Sequence, residues 1–173
     1  PGPDFNSLEK SWYQDGIQSE DFILGDVYFD EDSQSYVVGA SGMLKGKDGE
    51  ARGVAAADVY LDAISDIVAE IQLEETGGVF LVDTRTDTII GHRDKEITGR
   101  LLSEFNGDMY AYAAKQIKDG DYGLSLFDGG TYIQAVKVPN SDWAAVVYVP
   151  KAEVLADLNV LTGIMSTVSV LAV

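Results

Sequence analysis

The sequence predicts an α+β fold made of two antiparallel sheets that are joined by one helix. Strand-like runs dominate residues 20–60 and 78–150, and the turns between them are too short for the crossovers that parallel strands need. Between these regions, residues 60–75 carry apolar side chains at spacings of three and four, as in an amphipathic helix. Three strands and one short helix leave a face of the first sheet uncovered, so we expect that region to lack part of its N-terminal sequence.

The first region begins with a predicted short helix over residues 7–19, with Ser7 as its N-cap. Three strands are predicted to follow it, at residues 24–30, 35–45 and 51–60. The dipeptide Asp48-Gly49, inside the turn from Lys47 to Glu50, is a strong hairpin signal between the second and third of these strands. The third strand is rich in small residues, which indicates close packing against a helix or a ligand.

The second region starts after Thr76-Gly77-Gly78, which ends the connecting helix. Its predicted order is two strands, two helical stretches and three further strands, at residues 79–83, 87–91, 97–105, 107–120 and 121–150. A Gly-Gly turn and a Pro-Asn-Ser-Asp turn separate the last three strands. Pro150 precedes a final predicted helix over residues 151–161. This second region therefore predicts a complete small sheet domain.

The segment from Leu158 to Val173 contains no charged residue. Its 16 residues fall short of the roughly 20 that cross a bilayer. One interpretation is a C-terminal core helix, and the other is the start of a transmembrane helix. A helix on the surface of a globular domain would normally show a charged outer face, so the sequence favours the start of a transmembrane segment.

Composition excludes several classes of function. The chain of 173 residues has 29 Asp and Glu against 12 Lys and Arg, a formal net charge of −17. Such a surface repels the phosphate backbone, so we expect no nucleic-acid partner. There is no Cys and a single His, which excludes disulfide scaffolds, Cys/His zinc sites and thiol nucleophiles.

Signals for catalysis are weak. His92 stands alone at the end of a predicted strand, and no G-x-S-x-G nucleophile elbow or phosphate-binding glycine loop is present. Asp30-Glu31-Asp32 begins like a calcium loop, but Ser35 and Ser41 stand where that loop needs Gly and Glu. We therefore expect no enzymatic activity, no catalytic residue, no metal and no cofactor. A hydrolase that uses His92 and acidic residues is the alternative from the enzyme class.

Five side chains form a candidate ligand-binding set: Lys10, Trp12, Tyr28, Asp30 and Asp58. Tyr28 and Asp30 are two residues apart in a strand and so point to one face of the sheet. Lys10 would hold a carboxylate as a point charge, while Asp30 and Asp58 would receive an ammonium group. Trp12 and Tyr28 could add cation–π attraction. The set would suit a small zwitterion.

These residues resemble the ligand motif of the double Cache (dCache) family, the extracytoplasmic sensor module of bacterial chemoreceptors, histidine kinases and related receptors. The family pattern of Arg-x-Trp-Tyr, Tyr-x-Asp and Gly-Val-x-x-x-Asp is matched by three segments: Lys10-Ser11-Trp12-Tyr13, Tyr28-Phe29-Asp30 and Gly53 to Asp58. The strand-turn-strand segment 78–94 also resembles the family's membrane-proximal module. Two positions differ from the amino-acid-sensing branch, because Lys10 replaces an Arg and Phe5 replaces a Tyr.

The resemblance implies two PAS-like modules and a membrane connection. Residues 1–75 would form a partial membrane-distal module that holds the ligand pocket, and residues 76–150 the membrane-proximal module. Residues 151–173 would form a juxtamembrane helix and the start of a transmembrane segment. The resemblance thus implies an extracytoplasmic sensor domain of a receptor in the cell membrane, a chemotaxis receptor or a histidine kinase, that works as a homodimer.

The resemblance also implies a small-molecule ligand with an amine group, with an amino acid as the first choice. Lys10 keeps the positive charge of the family's Arg but lacks its bidentate fork. We therefore expect Tyr28, Asp30 and Asp58 to recognise the amine group. The alternatives are an amine or a small carboxylate in the same pocket, or a structural or partner-binding receptor domain that has no small-molecule ligand.

Overall fold

The computed structural model describes residues 6–105 and 108–156. Within them the chain forms a three-stranded sheet and a five-stranded sheet, and every pair of neighbouring strands is antiparallel. The predicted α+β class with two antiparallel sheets is therefore confirmed. The predicted transmembrane start, residues 158–173, lies outside the described residues. Within the described residues, no helix is long and apolar enough to cross a bilayer.

The first sheet has the order β1-β2-β3. Its strands are β1 (Ile23–Asp30), β2 (Ser35–Lys45) and β3 (Ala51–Tyr60). The predicted hairpin between β2 and β3 is present, and Gly49 has a φ of 83° there, which favours glycine. The pairing of β1 with β2 is irregular between Leu24 and Val27, so Gly25 and Asp26 form a bulge.

The N-terminal helix is shorter than predicted. A 3-10 turn (Ser7–Glu9) is followed by α1 (Ser11–Gly16), and Lys10 between them has an extended backbone. The predicted N-cap is wrong, because the side chain of Asn6 rather than that of Ser7 accepts a backbone N–H, from Leu8. The interruption at Lys10 turns a predicted helix of thirteen residues into two separate turns of chain.

The connecting helix α2 (Leu61–Ala69) also ends earlier than the predicted residue 75. The chain leaves the helix because Leu73 pairs with Gly77 in an isolated bridge. The apolar stripe of α2 is buried between the two sheets, against Val38 of the first sheet and Ile90 of the second. The helix that joins the sheets in sequence therefore also joins them in space.

The second sheet has the order β5-β4-β8-β7-β6. Its strands are β4 (Gly78–Asp83), β5 (Thr88–Gly91), β6 (Ser125–Phe127), β7 (Thr131–Lys137) and β8 (Trp143–Pro150). Helix α3 (Met109–Asp119) covers one face of this sheet and is capped by the side chain of Asp108 and by Gly120. A buried cluster between sheet and helix includes Phe80 and Ala113.

The helix predicted over residues 97–105 is wrong. The structure has two 3-10 turns instead, Lys95–Ile97 and Leu102–Glu104. Between them the backbone runs along the edge of β5, where Gly99 N donates to Ile89 O and Ile89 N donates to Arg100 O, both at 2.8 Å. This segment therefore provides hydrogen-bond partners for the backbone N–H and C=O groups of the edge strand β5. A helix at this position would have left those groups unpaired.

The last described helix, α4 (Lys151–Val154), is tied to the segment that follows α2. The carboxylate of Glu153 accepts the backbone N–H groups of Glu75, at 3.1 Å, and Thr76, at 3.0 Å, and also the Thr76 hydroxyl. These hydrogen bonds lower the pKa of Glu153. The C-terminal helix therefore begins from a fixed point beside the link between the two sheets.

His92 is buried in the second sheet, with 5% of its surface exposed. The backbone N–H of Asp94 donates to its Nδ1 at 2.8 Å, so we assign the proton to Nε2, which donates to Tyr110 Oη at 3.0 Å. Burial lowers the pKa of His92 and raises the pKa of Tyr110 to about 12. The folded protein therefore holds His92 as the neutral imidazole.

This arrangement predicts a loss of stability below about pH 6.5, the ordinary pKa of His. The lowered pKa of folded His92 means that the unfolded chain binds the proton first, so the contribution of His92 is complete above pH 6.5 and is lost as the pH falls towards the folded pKa. We expect urea unfolding to show that the difference in unfolding free energy between the native chain and His92→Gln declines from pH 7.5 to 5.5. A difference that stays constant would contradict this role of His92.

Candidate functional site

A cleft of about 1230 Å³ lies over the first sheet, between α1, the bulged strand β1 and the turn that follows β4. The structure brings together in this cleft all five residues of the predicted ligand-binding set: Lys10, Trp12, Tyr28, Asp30 and Asp58. They come from the start of α1, from β1 and from the end of β3, segments far apart in sequence. Their role in binding a ligand stays a prediction.

Tyr28 and Asp58 form the polar centre of the cleft. They lie on the two outer strands, and β2 between them sets their register, since Val37 pairs with Tyr28 and Gly39 pairs with Asp58. Tyr28 Oη donates a hydrogen bond to Asp58 Oδ1 at 3.0 Å. Burial, helped by this carboxylate, raises the pKa of Tyr28 to about 12, so the phenol stays protonated and keeps donating. Asp58 thus faces the cleft with one oxygen held and its carboxylate oriented.

Asp30 differs from Asp58 although both were predicted to receive an ammonium group. Its carboxylate accepts the backbone N–H and the hydroxyl of Ser33, and the backbone N–H of Asp32 at 3.4 Å. These bonds, the Ser33 hydroxyl first, lower the pKa of Asp30, so it stays ionised. Asp30 therefore supplies negative charge to the cleft, but the β1–β2 turn uses much of its capacity to accept hydrogen bonds.

Close packing of α1 on the first sheet positions Lys10 and Trp12. A Cβ atom at Gly16 would lie 2.6 Å from Val54 Cγ1 and 3.0 Å from Ser41 Cβ, so only glycine allows this approach. The segment after the helix is then fixed to β2 by the backbone bond from Met43 N to Ser19 O, 2.9 Å long. The sequence pattern gave no sign that Gly16 has this role.

Arg85 lines the cleft from the second sheet and was missed by the sequence analysis. Its Nη2 donates to Gly25 O at 2.9 Å and lies 3.3 Å from Asp26 Oδ1, both in the β1 bulge. The same guanidinium pairs with Asp83, which is fully buried, and this hydrogen bond raises the pKa of Arg85 further. Because Arg85 and β1 are far apart in the sequence, no local pattern predicts that they are in contact.

The floor of the cleft is made of small residues on β2 and β3, among them Gly39, Ser41 and Ala56. Ser41 is only 3% exposed, because α1 covers it. The sequence pattern did not predict that Ser41 lines the cleft. The small side chains of β3 were predicted to pack closely against a helix or a ligand. The structure shows the helix at Val54 and open space above Ala56.

The single His of the chain lies outside this cleft. His92, the residue on which the hydrolase alternative rested, is buried beside Phe80 and Tyr110 in the second sheet and does not line the cleft. Within residues 6–105 and 108–156, no group of three or more His, Asp or Glu side chains is placed to hold a metal ion. What the described cleft offers is recognition by charge, hydroxyl groups and aromatic rings.

The fold is similar to those of solved sensor domains. The extracellular domain of mmHK1S-Z3, described as a histidine kinase, aligns with a TM-score of 0.67 and 26% identity over 88% of this chain and 58% of that one. The ligand-binding domain of the Pseudomonas fluorescens chemoreceptor CtaA with L-serine gives 0.61 and 20% over 87% and 64%. That of Campylobacter jejuni Tlp3 with L-norvaline gives 0.61 and 19% over 86% and 55%. This chain therefore spans less than two thirds of each of these structures.

Comparison with curated proteins finds no significant match. The family model of the Cache domain, dCache_1, matches residues 2–158, which include both sheets and the whole cleft. The resemblance that the motifs predicted is confirmed: the chain belongs to the Cache domain family.

Proposed function

We propose that this chain is the extracytoplasmic sensor domain of a transmembrane chemotaxis or signal-transduction receptor, and that its cleft binds a small ligand with an amine group. The observation that carries the proposal is the Tyr28–Asp58 pair in a cleft that also contains Trp12 and Lys10. An amino acid is the first candidate for the ligand. The ligands of two structures with a similar fold, L-serine and L-norvaline, support this choice.

The ammonium end of the ligand belongs at Asp58. Tyr28 holds one carboxylate oxygen, so the other is oriented to accept an N–H from a cation in the cleft. The faces of Trp12 and Tyr28 add cation–π attraction. Asp30 adds negative charge nearby, while its hydrogen bonds stay with Ser33.

The carboxylate end of an amino acid belongs at Lys10, at the N-cap of α1. A Lys ammonium holds a carboxylate as a point charge and without the fixed two-bond geometry of Arg. A ligand without a carboxylate therefore loses less binding free energy at Lys10 than it would at an Arg. This difference keeps an amine, and also a small carboxylate that uses Lys10 alone, as alternatives within the same site.

Signal output would pass through the link between the sheets. The cleft shares the first sheet with Val38, which packs on α2, and Glu153 ties the segment after α2 to the start of α4. A ligand that binds one arrangement of these elements better than another would shift their equilibrium. The division into membrane-distal and membrane-proximal modules, membrane anchoring beyond α4 and homodimerisation belong to the same proposal.

The competing function is a structural or partner-binding receptor domain whose cleft takes no small molecule. A thermal-shift screen of the chain against L-amino acids, primary and quaternary amines and small carboxylates separates the two. A ligand at about 100 times its Kd adds roughly 2.7 kcal/mol of stability, a shift of several degrees for a chain of this size. The absence of any shift would support the partner-binding alternative.

Asp58→Asn should weaken binding of the amino acid or amine found in the screen by about 10- to 100-fold, because a charge-assisted hydrogen bond contributes roughly 1.5–3 kcal/mol. Titration calorimetry at constant ionic strength measures this loss. The matched control is Asp128→Asn, which removes one negative charge from an exposed turn outside the cleft. An affinity of Asp58→Asn equal to that of the control would exclude Asp58 as the ammonium site.

Lys10→Arg should tighten binding of an α-amino acid several-fold, because the guanidinium can form two parallel bonds to the carboxylate. Lys10→Ala should weaken the amino acid and leave the corresponding amine, which has no carboxylate, nearly unchanged. Calorimetry with one amino acid and its decarboxylated amine tests both variants. Equal losses for the two ligands in Lys10→Ala would show that Lys10 does not hold the carboxylate.

A further inference from the structure

We propose that the ligand of this cleft carries a second positive charge, held by Asp15 on α1 at the opposite end from Asp58. The ligand class is then a basic amino acid or a diamine. This inference rests on the proposed function, because it concerns the ligand of the same cleft, and it deepens that function by fixing the ligand's charge.

The charges that line the cleft are unequal. Among the residues that the structure describes, six charged ones line it: Lys10, Asp15, Asp26, Asp30, Asp58 and Arg85. Four are carboxylates and two are cations. The guanidinium of Arg85 is further neutralised by the fully buried Asp83 behind it. A cleft lined mainly by one sign of charge concentrates ions of the opposite sign, so the potential here favours a ligand with net positive charge over a neutral zwitterion.

Among the carboxylates of the cleft, Asp15 has the fewest hydrogen-bond and ion-pair partners within the described residues. Asp26 faces Arg85, Asp30 binds the β1–β2 turn and Asp58 accepts from Tyr28. For Asp15, in contrast, no side chain or backbone group of the described ranges, 6–105 and 108–156, donates to the carboxylate. It lies three residues after Trp12 in α1, so the two share one face of the helix, and both line the cleft.

The packing of α1 places Asp15 away from Asp58. Gly16, the next residue, approaches Val54 on β3 within contact distance. Asp58 lies four residues further along the same strand, a separation of about 13 Å at roughly 3.3 Å per residue. The two carboxylates therefore stand towards opposite ends of the cleft, and one compact cation cannot contact both while an elongated one can.

The floor between the two carboxylates suits a short aliphatic chain. Gly39 and Ala56 leave room above the sheet, and Ser41, which is 97% buried, lies between α1 and the open part of the cleft. In the part of the chain that the structure describes, the Ser41 hydroxyl has no hydrogen-bond partner. The Ser41 hydroxyl therefore opens on the cleft rather than on a protein partner, which is an independent sign that a ligand group belongs there, and it can accept an N–H from the second cation.

Two matched probe pairs test the second charge by titration calorimetry on the native chain. L-lysine and L-norleucine differ by the terminal ammonium, and 1,5-diaminopentane and pentylamine differ in the same way without a carboxylate. We expect the probe with the additional ammonium group in at least one pair to bind at least tenfold more tightly than its partner. A preference within the amino-acid pair alone identifies a basic amino acid, and a preference within both pairs identifies diamine recognition.

Variants then locate the second charge. Asp15→Asn should remove the preference within a pair and leave the affinities for L-norleucine and pentylamine within twofold of native. Asp58→Asn should weaken every probe that binds, while Asp128→Asn, outside the cleft, should change none of them. A preference that survives in Asp15→Asn would overturn the assignment to Asp15.

The same titrations distinguish failure of this inference from failure of the proposed function. Equal binding within both pairs would exclude the second charge and leave the amine site intact. Binding of another L-amino acid, but of none of the four probes, would have the same meaning. If no amino acid or amine binds at all, both the proposal of a second charge and the proposed function are wrong.

Discussion

The packing of α2 between the two sheets is the interaction on which the rest of this structure depends. The first sheet contributes few buried apolar residues, chiefly Val37 and Val38, and could form little core alone. Leu61, Ile64 and Val68 of α2 join Val38 to Ile90 of the second sheet in one cluster. Each such side chain stabilises the fold by about 1.5–3 kcal/mol when fully buried. A three-stranded sheet that would be marginal by itself is thereby held on a complete five-stranded one.

A second connection between the sheets is electrostatic and reaches the cleft directly. Asp83 is fully buried and would be costly without a partner, and Arg85, two residues later, supplies the opposite charge. The same guanidinium then bonds to Gly25 O in the β1 bulge. One ion pair therefore satisfies a buried charge in the second sheet and fixes the wall of a cleft in the first. The β1 bulge and the buried carboxylate of Asp83 are therefore held by the same guanidinium.

The chemistry of the cleft follows from how its carboxylates are already engaged. Asp30, Asp26 and Asp58 each have a partner of a different kind: a turn, a guanidinium and a phenol. Only the phenol of Tyr28 leaves its carboxylate both oriented and open to a ligand, and its pKa of about 12 keeps that arrangement unchanged across physiological pH. Ligand recognition in the cleft thus depends more on which carboxylates can still accept a hydrogen bond than on how many carboxylates line the cleft.

The sequence by itself determined the strands of the first sheet and the membership of the predicted ligand-binding set. Predicted strands at 24–30, 35–45 and 51–60 agree with the structure to within one residue, because alternation and hairpin turns are local signals. Spacing along β1 selected Tyr28 and Asp30, and the position of Asp58 at the end of a strand of small residues selected Asp58; the structure places all three in the cleft. Their role as ligand contacts stays a prediction.

Only the tertiary structure decided the ends of the helices and the remaining walls of the cleft. The predicted helix at 97–105 is absent because its backbone pairs with the edge of β5, a partner that no local pattern reveals. Arg85 and Ser41 reach the cleft through contacts between segments distant in sequence. Periodicity records which face of an element is apolar, whereas the partner that covers it depends on packing between distant elements, and that packing also decides which charged groups stay open to a ligand.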